Sequence, residues 1–299
     1  MPGAPAAGFM LVHPTVPSTD AVEELVLEVR RLAATGALDL PLPGNGATWA
    51  RFQALAEIAA RDLSLSRIVE GHVDAIAILA EAGQVPAPGI YGVWAAESPD
   101  HRVEATRGPG GWRLRGRKRY ASGARGIDRA LVTARCSDGD RLFDIALGDR
   151  GVRPIAGSWQ AVGMAATDSI DVELDHVVVA DERIVGTPGF YLTRAGFWRG
   201  AVGVAACWYG GALGCFRFAR SWLRRGTPSE HQLAHLGGMA ATCEVLRVVL
   251  VDAADLIDQG HDARVPALVV RHVVEQGCQD VMTRCGRALG SSPLVFDAS

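Results

Sequence analysis

The chain has 299 residues, 48% hydrophobic and 21% charged, and a net charge of −3 from 30 basic and 33 acidic side chains. A globule of this size can bury about three quarters of its extended-chain surface, so it needs neither disulfides nor a structural metal to hold a core. The composition excludes disorder and collagen-like repeats, and the charge balance gives no basic face for nucleic acid or an anionic membrane.

Residues 1–18, rich in Pro, Ala and Gly, read as a loose leader. Asp20 with Glu23 three residues later can form a capping box. Behind it Val22, Leu25, Val26, Val29 and Leu32 recur at helical spacing as far as Gly36. The run LPLPGNG at 40–46 forbids a continued helix. From Thr48 to about Gly83 the pattern is helical again, with Phe52, Leu55, Ile58, Ile68, Val69, Val73 and Leu79 apolar. A break at 63–66 is expected to divide it in two.

At QVPAPGI, 84–90, the texture changes to short strands bounded by Gly, Asp or Pro. GIYGVWAAE, HRVEATR, GWRLRGRKRY, RALVTARC, RLFDIALG, VRPIAG, SIDVELD and HVVVAD follow one another, in a strand texture that runs to about 186. GPGG at 108–111 lies between two of them, as a hairpin turn does, and is not followed by the Lys-Ser/Thr of a phosphate loop. Strands at intervals of roughly ten residues suggest an antiparallel barrel or sandwich. After VGTPG the helical period returns, predicting helices at 195–225, 229–259 (with Ser229 as cap) and 264–289. The expected fold class is α+β: an N-terminal helical domain (1–84), a central antiparallel β-barrel (85–188) and a C-terminal helical bundle (189–299).

Most isolated motifs have a structural reading that suffices. GGALG at 210–214 and GRALG at 286–290 follow no strand, so they read as close helix packing rather than a dinucleotide loop. His231 and His235, four apart, lack a third ligand and read as a solvated face; no metal site is expected. Glu70-Gly71-His72 is a candidate acid–base pair with no third partner. The six cysteines (136, 207, 215, 243, 278, 285) form no CxxC pair and read as reduced thiols. With no signal-type leader and no apolar run of about 18 residues, a cytoplasmic location and no membrane partner are expected. Lys118, the only lysine, reflects biased composition. The segment 184–229 contains no acid but holds Arg194, Arg199, Arg217, Arg220, Arg224 and Arg225. These suit a phosphate-bearing ligand, or else pair with carboxylates elsewhere.

GWRLRGRKRYASGA (111–124), RALVTAR and GSWQAVGMAATDSIDVELDHVVVADERIVG (157–186) resemble the middle domain of acyl-CoA dehydrogenases, and the flanking helices fit the same order. The resemblance covers about residues 40–297 and implies an FAD-dependent oxidoreductase acting on CH–CH groups of an acyl thioester or a similar hydrophobic substrate. It also implies a homo-oligomer holding FAD between the barrel and the C-terminal helices of two subunits, and an electron-transfer partner. By the same resemblance Tyr120 and Ser122 lie beside the flavin ring, and Trp94 and Ala96 on the other flavin-facing strand. There Ala96-Glu97 replaces the family's Thr-Glu, removing a hydroxyl donor. Arg220 and Gln232 match an Arg and a Gln on the pyrophosphate and adenine side.

The family's catalytic Glu is missing from both places that supply it. The first helix after the strands is acid-free, and past the Gly-rich turn near the C-terminus only Asp297 is found. The chain is expected to be a shortened member in which that base is replaced or lost. The alternatives are a non-catalytic homologue binding a partner or a CoA-like ligand, and a flavin monooxygenase on the same fold, which needs no such Glu.

Overall fold

The computed structural model describes residues 19–291, with side chains from Ala21 onward; the leader, the Asp20 side chain and Asp297 fall outside what is described. Three helices come first: α1 (Thr19–Ala34), α2 (Thr48–Arg61) and α3 (Leu63–Glu81). Val22, Leu25, Val26, Val29 and Leu32 are all buried along one face of α1. The break between α2 and α3 falls at Asp62, just ahead of the predicted position. Asp62 is extended, and its carboxylate accepts from the Leu65 N–H at 2.9 Å, so one residue ends the first helix and caps the second. The N-cap of α2 is Ala47, whose methyl side chain cannot accept a hydrogen bond. Its place is taken from far along the chain by Asp258, which accepts from the N–H groups of Gly46 and Thr48 at 3.0 and 2.9 Å.

Eight strands follow: β1 (Tyr91–Trp94), β2 (Val103–Gly108), β3 (Gly111–Ala121), β4 (Arg129–Cys136), β5 (Gly139–Ala146), β6 (Val152–Ile155), β7 (Ile170–Val179) and β8 (Ile184–Val185). GPGG is the expected β2–β3 hairpin, with Gly108 paired to Gly111 and Gly110 at φ +80°. The sheet runs β6-β7-β3-β2-β4-β5-β8, with β1 beside β4. Two expectations need amendment. The path ends at β6 and β8 without closing, so it forms an open sheet rather than a barrel. It is also mixed, since β1 and β2 both run parallel to β4. Strand spacing in a sequence carries neither closure nor partner order. A register shift near the end of β3 leaves Tyr120 left-handed at φ +58°, just before Ser122.

A short helix, α4 (Phe190–Thr193), leads into α5 (Gly196–Leu223), α6 (Glu230–Asp258) and α7 (Arg264–Leu289), close to the predicted spans. Ser229 and Gln232 form a full capping box at the start of α6. By length and composition α5 could cross a membrane, with a mean hydropathy of 1.2 over its best window, which the search for an unbroken apolar run overlooked. Here its apolar side packs against α2, α6 and α7, in a core that includes Phe52, Val202, Met239, Leu250 and Val274. A Cβ on Gly210 would lie 2.3 Å from the Ala56 carbonyl of α2, and one on Gly214 would lie 2.7 Å from that of Ala60. GGALG is therefore the close helix contact expected. GRALG is not: Gly286 faces open space, and Gly290 ends α7 with φ +63°. On its other side α3 lies on β1, where Gly71 faces Gly92.

Candidate functional site

Helix α3 is mostly apolar and carries one charged stripe. Arg67, Glu70 and Asp74, at i, i+3 and i+7, share the face turned toward α5. That face borders two cavities between α3, α5 and α7. The larger, about 660 Å³, is walled by Leu63, Ser66, Val204, Cys207, Trp208, Gly211, Cys215, Cys278 and Met282, with Met164 reaching in from the β6–β7 loop. The smaller, about 440 Å³, is walled by Val93, Tyr191, Arg194, Phe197, Trp198, Leu268 and Arg271. Arg67, Glu70 and Val204 belong to both, so they form the common wall. Both volumes lie in the range of small-molecule sites.

The polar groups of that wall are connected. Arg67 Nη1 donates to Glu70 Oε2 at 2.5 Å, and Arg67 Nε donates to Ser122 Oγ at 3.2 Å. Ser122 Oγ is 2.8 Å from Ser169 Oγ, which lies 2.8 Å from Thr167 Oγ1. Glu70 is 9% exposed, and burial pushes its carboxyl above the ordinary range; Asp74 adds to the rise, while Arg67 and Arg51 pull it back. Asp74 is raised in the same way by burial, against Arg194, Arg51 and Arg67. Buried Arg51 of α2 donates to the carbonyls of Val73 and Pro41 and carries charge toward both acids.

The thiols of the larger cavity make a soft apolar lining. Burial pushes Cys207 and Cys278 up to about 12, so both stay protonated and are weak nucleophiles. The Cys278 thiol donates to the Trp208 carbonyl at 3.3 Å. Arg271 lies over the Trp208 ring at 4.4 Å and donates to the Ala201 carbonyl; it forms no ion pair among the described residues. Among those residues no group of three His, Cys, Asp or Glu is arranged to hold a metal.

Of the six residues the resemblance pointed to, none lines either chamber, but Ser122 lies directly behind Arg67 of the common wall and Trp94 behind Ser122. Ser122 is buried against Arg67. Trp94 sits in the core, its indole N–H donating to the Ser122 carbonyl at 3.1 Å, so it holds Ser122 rather than facing a cavity. Ala96 is exposed beyond β1, outside both chambers. Tyr120 is half exposed under the Arg119 guanidinium. Arg220 is exposed on α5 over the Phe216 ring. Gln232 uses its amide in the capping box and on the Ala288 carbonyl. These last four line neither chamber.

The arginine-rich segment forms no anion cluster. Buried Arg194 lies between Glu81 at 3.1 Å and Asp74 at 3.8 Å, and Arg217 grips Glu57 with two bonds of 2.7 and 2.8 Å. For these two, carboxylates of earlier helices supply the partners, while Arg199 donates to the Pro43 carbonyl. The structure also separates Glu70 from His72, whose Nδ1 accepts from the Tyr91 N–H at 3.2 Å on the β1 side. The sequence reading passed over Arg67 and Asp74 altogether. Their signal was available as three charged residues on one face of a mostly apolar helix.

The comparisons with known proteins agree with this fold. Residues 187–294 match the family model described as acyl-CoA dehydrogenase, C-terminal domain. Dibenzothiophene monooxygenases of Rhodococcus erythropolis and Rhodococcus qingshengii are 29% identical over alignments covering 54% of this chain and 45% of theirs. The chain thus matches less than half the length of these curated relatives. Among solved structures, the dibenzothiophene monooxygenase TdsC of Paenibacillus sp. A11-2 with FMN and indole aligns with a TM-score of 0.77 at 21% identity, over 92% of this chain and 87% of that one. The methanesulfinate monooxygenase MsuC of Pseudomonas fluorescens gives 0.75 at 17% identity, over 93% and 88%. At these identities the structural likeness shows the fold.

Proposed function

We propose that this chain, whose resemblance to the acyl-CoA dehydrogenase family holds in its fold and its C-terminal region, is a flavin-dependent monooxygenase rather than an acyl-CoA dehydrogenase. The observation that carries the reading is the α5 wall of the cleft. Val204, Cys207, Trp208 and Gly211 face the cavity there, with no carboxylate on the helix that could supply the dehydrogenase base. The monooxygenase relatives support the same choice. The FMN bound in TdsC favours FMN over FAD as the flavin.

The residues present fit such a group. Arg271, without a carboxylate partner among the described residues, suits a flavin phosphate, and Trp198 beside it in the smaller chamber offers an aromatic surface to a planar ring. Arg67 supplies guanidinium donors at the common wall, with Ser122 directly behind it. When bound there, a reduced flavin supplies two electrons to oxygen, so that one oxygen atom enters the substrate and the other leaves as water. The thiols, Met164 and Met282 make the larger cavity a place for an apolar substrate. A separate reductase would supply the reduced flavin. A second copy of the chain would put Arg220 and Gln232 to use, since the resemblance sets those positions at the flavin between two subunits.

The test supplies purified protein with externally reduced FMN, oxygen and dibenzothiophene as probe. The expected product is the probe heavier by one oxygen atom. Bleaching of bound oxidised flavin by an acyl-CoA without oxygen would overturn the reading in favour of dehydrogenation.

A further inference from the structure

We propose that Glu70 is the proton-carrying carboxyl of this cleft, held in position by Arg67, an assignment that rests on the flavin reading above. Three carboxylates border the two chambers among the described residues. Glu275 is exposed on α7 and takes a hydrogen bond from Gln279; Asp74 is turned toward Arg194 and borders the smaller chamber only. Glu70 alone borders both chambers and is buried. It is also one side chain away from Ser122, through the guanidinium that binds them both.

The overall reaction needs such a group. Substrate, oxygen, anionic reduced flavin and one proton give oxygenated substrate, water and oxidised flavin. Glu70 gives that proton to the oxygen leaving as water. It recovers one from solvent through the smaller chamber, so the carboxyl ends each turnover as it began. Neither of the family's two base positions is involved, and this carboxylate comes from a different helix. The charged and titratable groups that face it are Arg67 and Asp74 on α3, Arg51 on α2, Tyr191 on α4 and Cys207 on α5. Arg271 of α7 borders the same smaller chamber. Burial and these arginines pull the carboxyl in opposite directions, so filling the chamber with a ligand tips it toward the neutral form.

The experiment is calorimetric titration of oxidised FMN into wild type and Glu70→Gln, in two buffers of different ionisation enthalpy, which counts protons taken up on binding. A second arm follows the oxygen-dependent reoxidation of protein-bound reduced FMN across the neutral pH range. Wild type is expected to take up protons on binding and Glu70→Gln none. Reoxidation should slow at least about tenfold in the variant and lose its pH dependence, while FMN affinity changes less than about threefold. Glu70→Gln with wild-type proton uptake or an unchanged pH profile would overturn the assignment. So would a wild type whose bound flavin reoxidises at a rate independent of pH, a result that does not depend on how the variant folds. A wild type that binds no flavin would remove the flavin reading itself, and this assignment with it.

Discussion

Replacing Gly210 by alanine tests the helix contact that seats the cleft. The new Cβ would lie 2.3 Å from the Ala56 carbonyl oxygen and 2.7 Å from the Ala59 Cβ, where ordinary contact begins near 3.4 Å. Ala56 O and Cα belong to the α2 backbone, not to a flexible side-chain tip, so α2 must move away from α5 by about 1 Å. Overpacking of this kind costs roughly 1–3 kcal/mol, and the upper part of the range applies where backbone must shift. The better helix propensity of alanine returns about 1 kcal/mol. A net loss of about 2 kcal/mol follows, or a fall of about 3 °C in Tm for a chain of this size. Gly286→Ala is the control: nothing lies within 4 Å of its Cβ position and it is inside α7. That change should gain up to about 1 kcal/mol from propensity alone. Urea midpoints and thermal melts of the two variants beside wild type decide the matter. Gly210→Ala as stable as wild type, or less harmful than Gly286→Ala, would refute the packing argument.

Three further outcomes are expected. Ser122→Ala removes the acceptor of Arg67 Nε and should weaken FMN binding by about fivefold, about 1 kcal/mol; unchanged affinity would take Ser122 out of the site. Asp258→Ala should cost about 1–3 kcal/mol at neutral pH by leaving the Gly46 and Thr48 N–H groups without their acceptor. Burial opposes ionisation of Asp258, but bonds from Thr48 and Gly46, with Arg199 nearby, outweigh it and hold the carboxyl below its ordinary range. Its contribution is therefore complete above the unfolded pKa and is lost as pH falls through the folded one. Urea midpoints of wild type and variant should converge in acid; a gap that persists there would contradict the cap. Lys118, the only lysine, is buried on Thr133 and Glu97, and burial pulls its ammonium below the ordinary range. Amine-reactive reagents should leave it unlabelled in the native protein and modify it in urea, as read by peptide mass.

What could be read in the sequence was local. The 3.6-residue period gave α5, α6 and α7 within about two residues, and the Ser229–Gln232 box sits within four residues of chain. Asp258 capping α2 across 210 residues has no local signature. Strand spacing could not show that the sheet leaves β6 and β8 as open ends, because closure depends on tilt and partner order. The two Gly-rich motifs look alike as text, yet Gly210 meets α2 while Gly286 meets nothing. Of the candidate wall, the sequence pointed to Ser122, which Arg67 contacts, and not to Arg67 itself. A charged residue on an apolar helix signals a site only once the opposite wall is known, and that wall comes from residues 204–215 and 268–282.

The central claim is that this cleft takes a flavin, and titration of purified protein with FMN, followed by absorbance and fluorescence, tests it most directly. Saturable binding with a perturbed flavin band, weakened by Arg271→Ala, is the predicted result. Flavin spectra that stay those of the free cofactor at every protein concentration would contradict it.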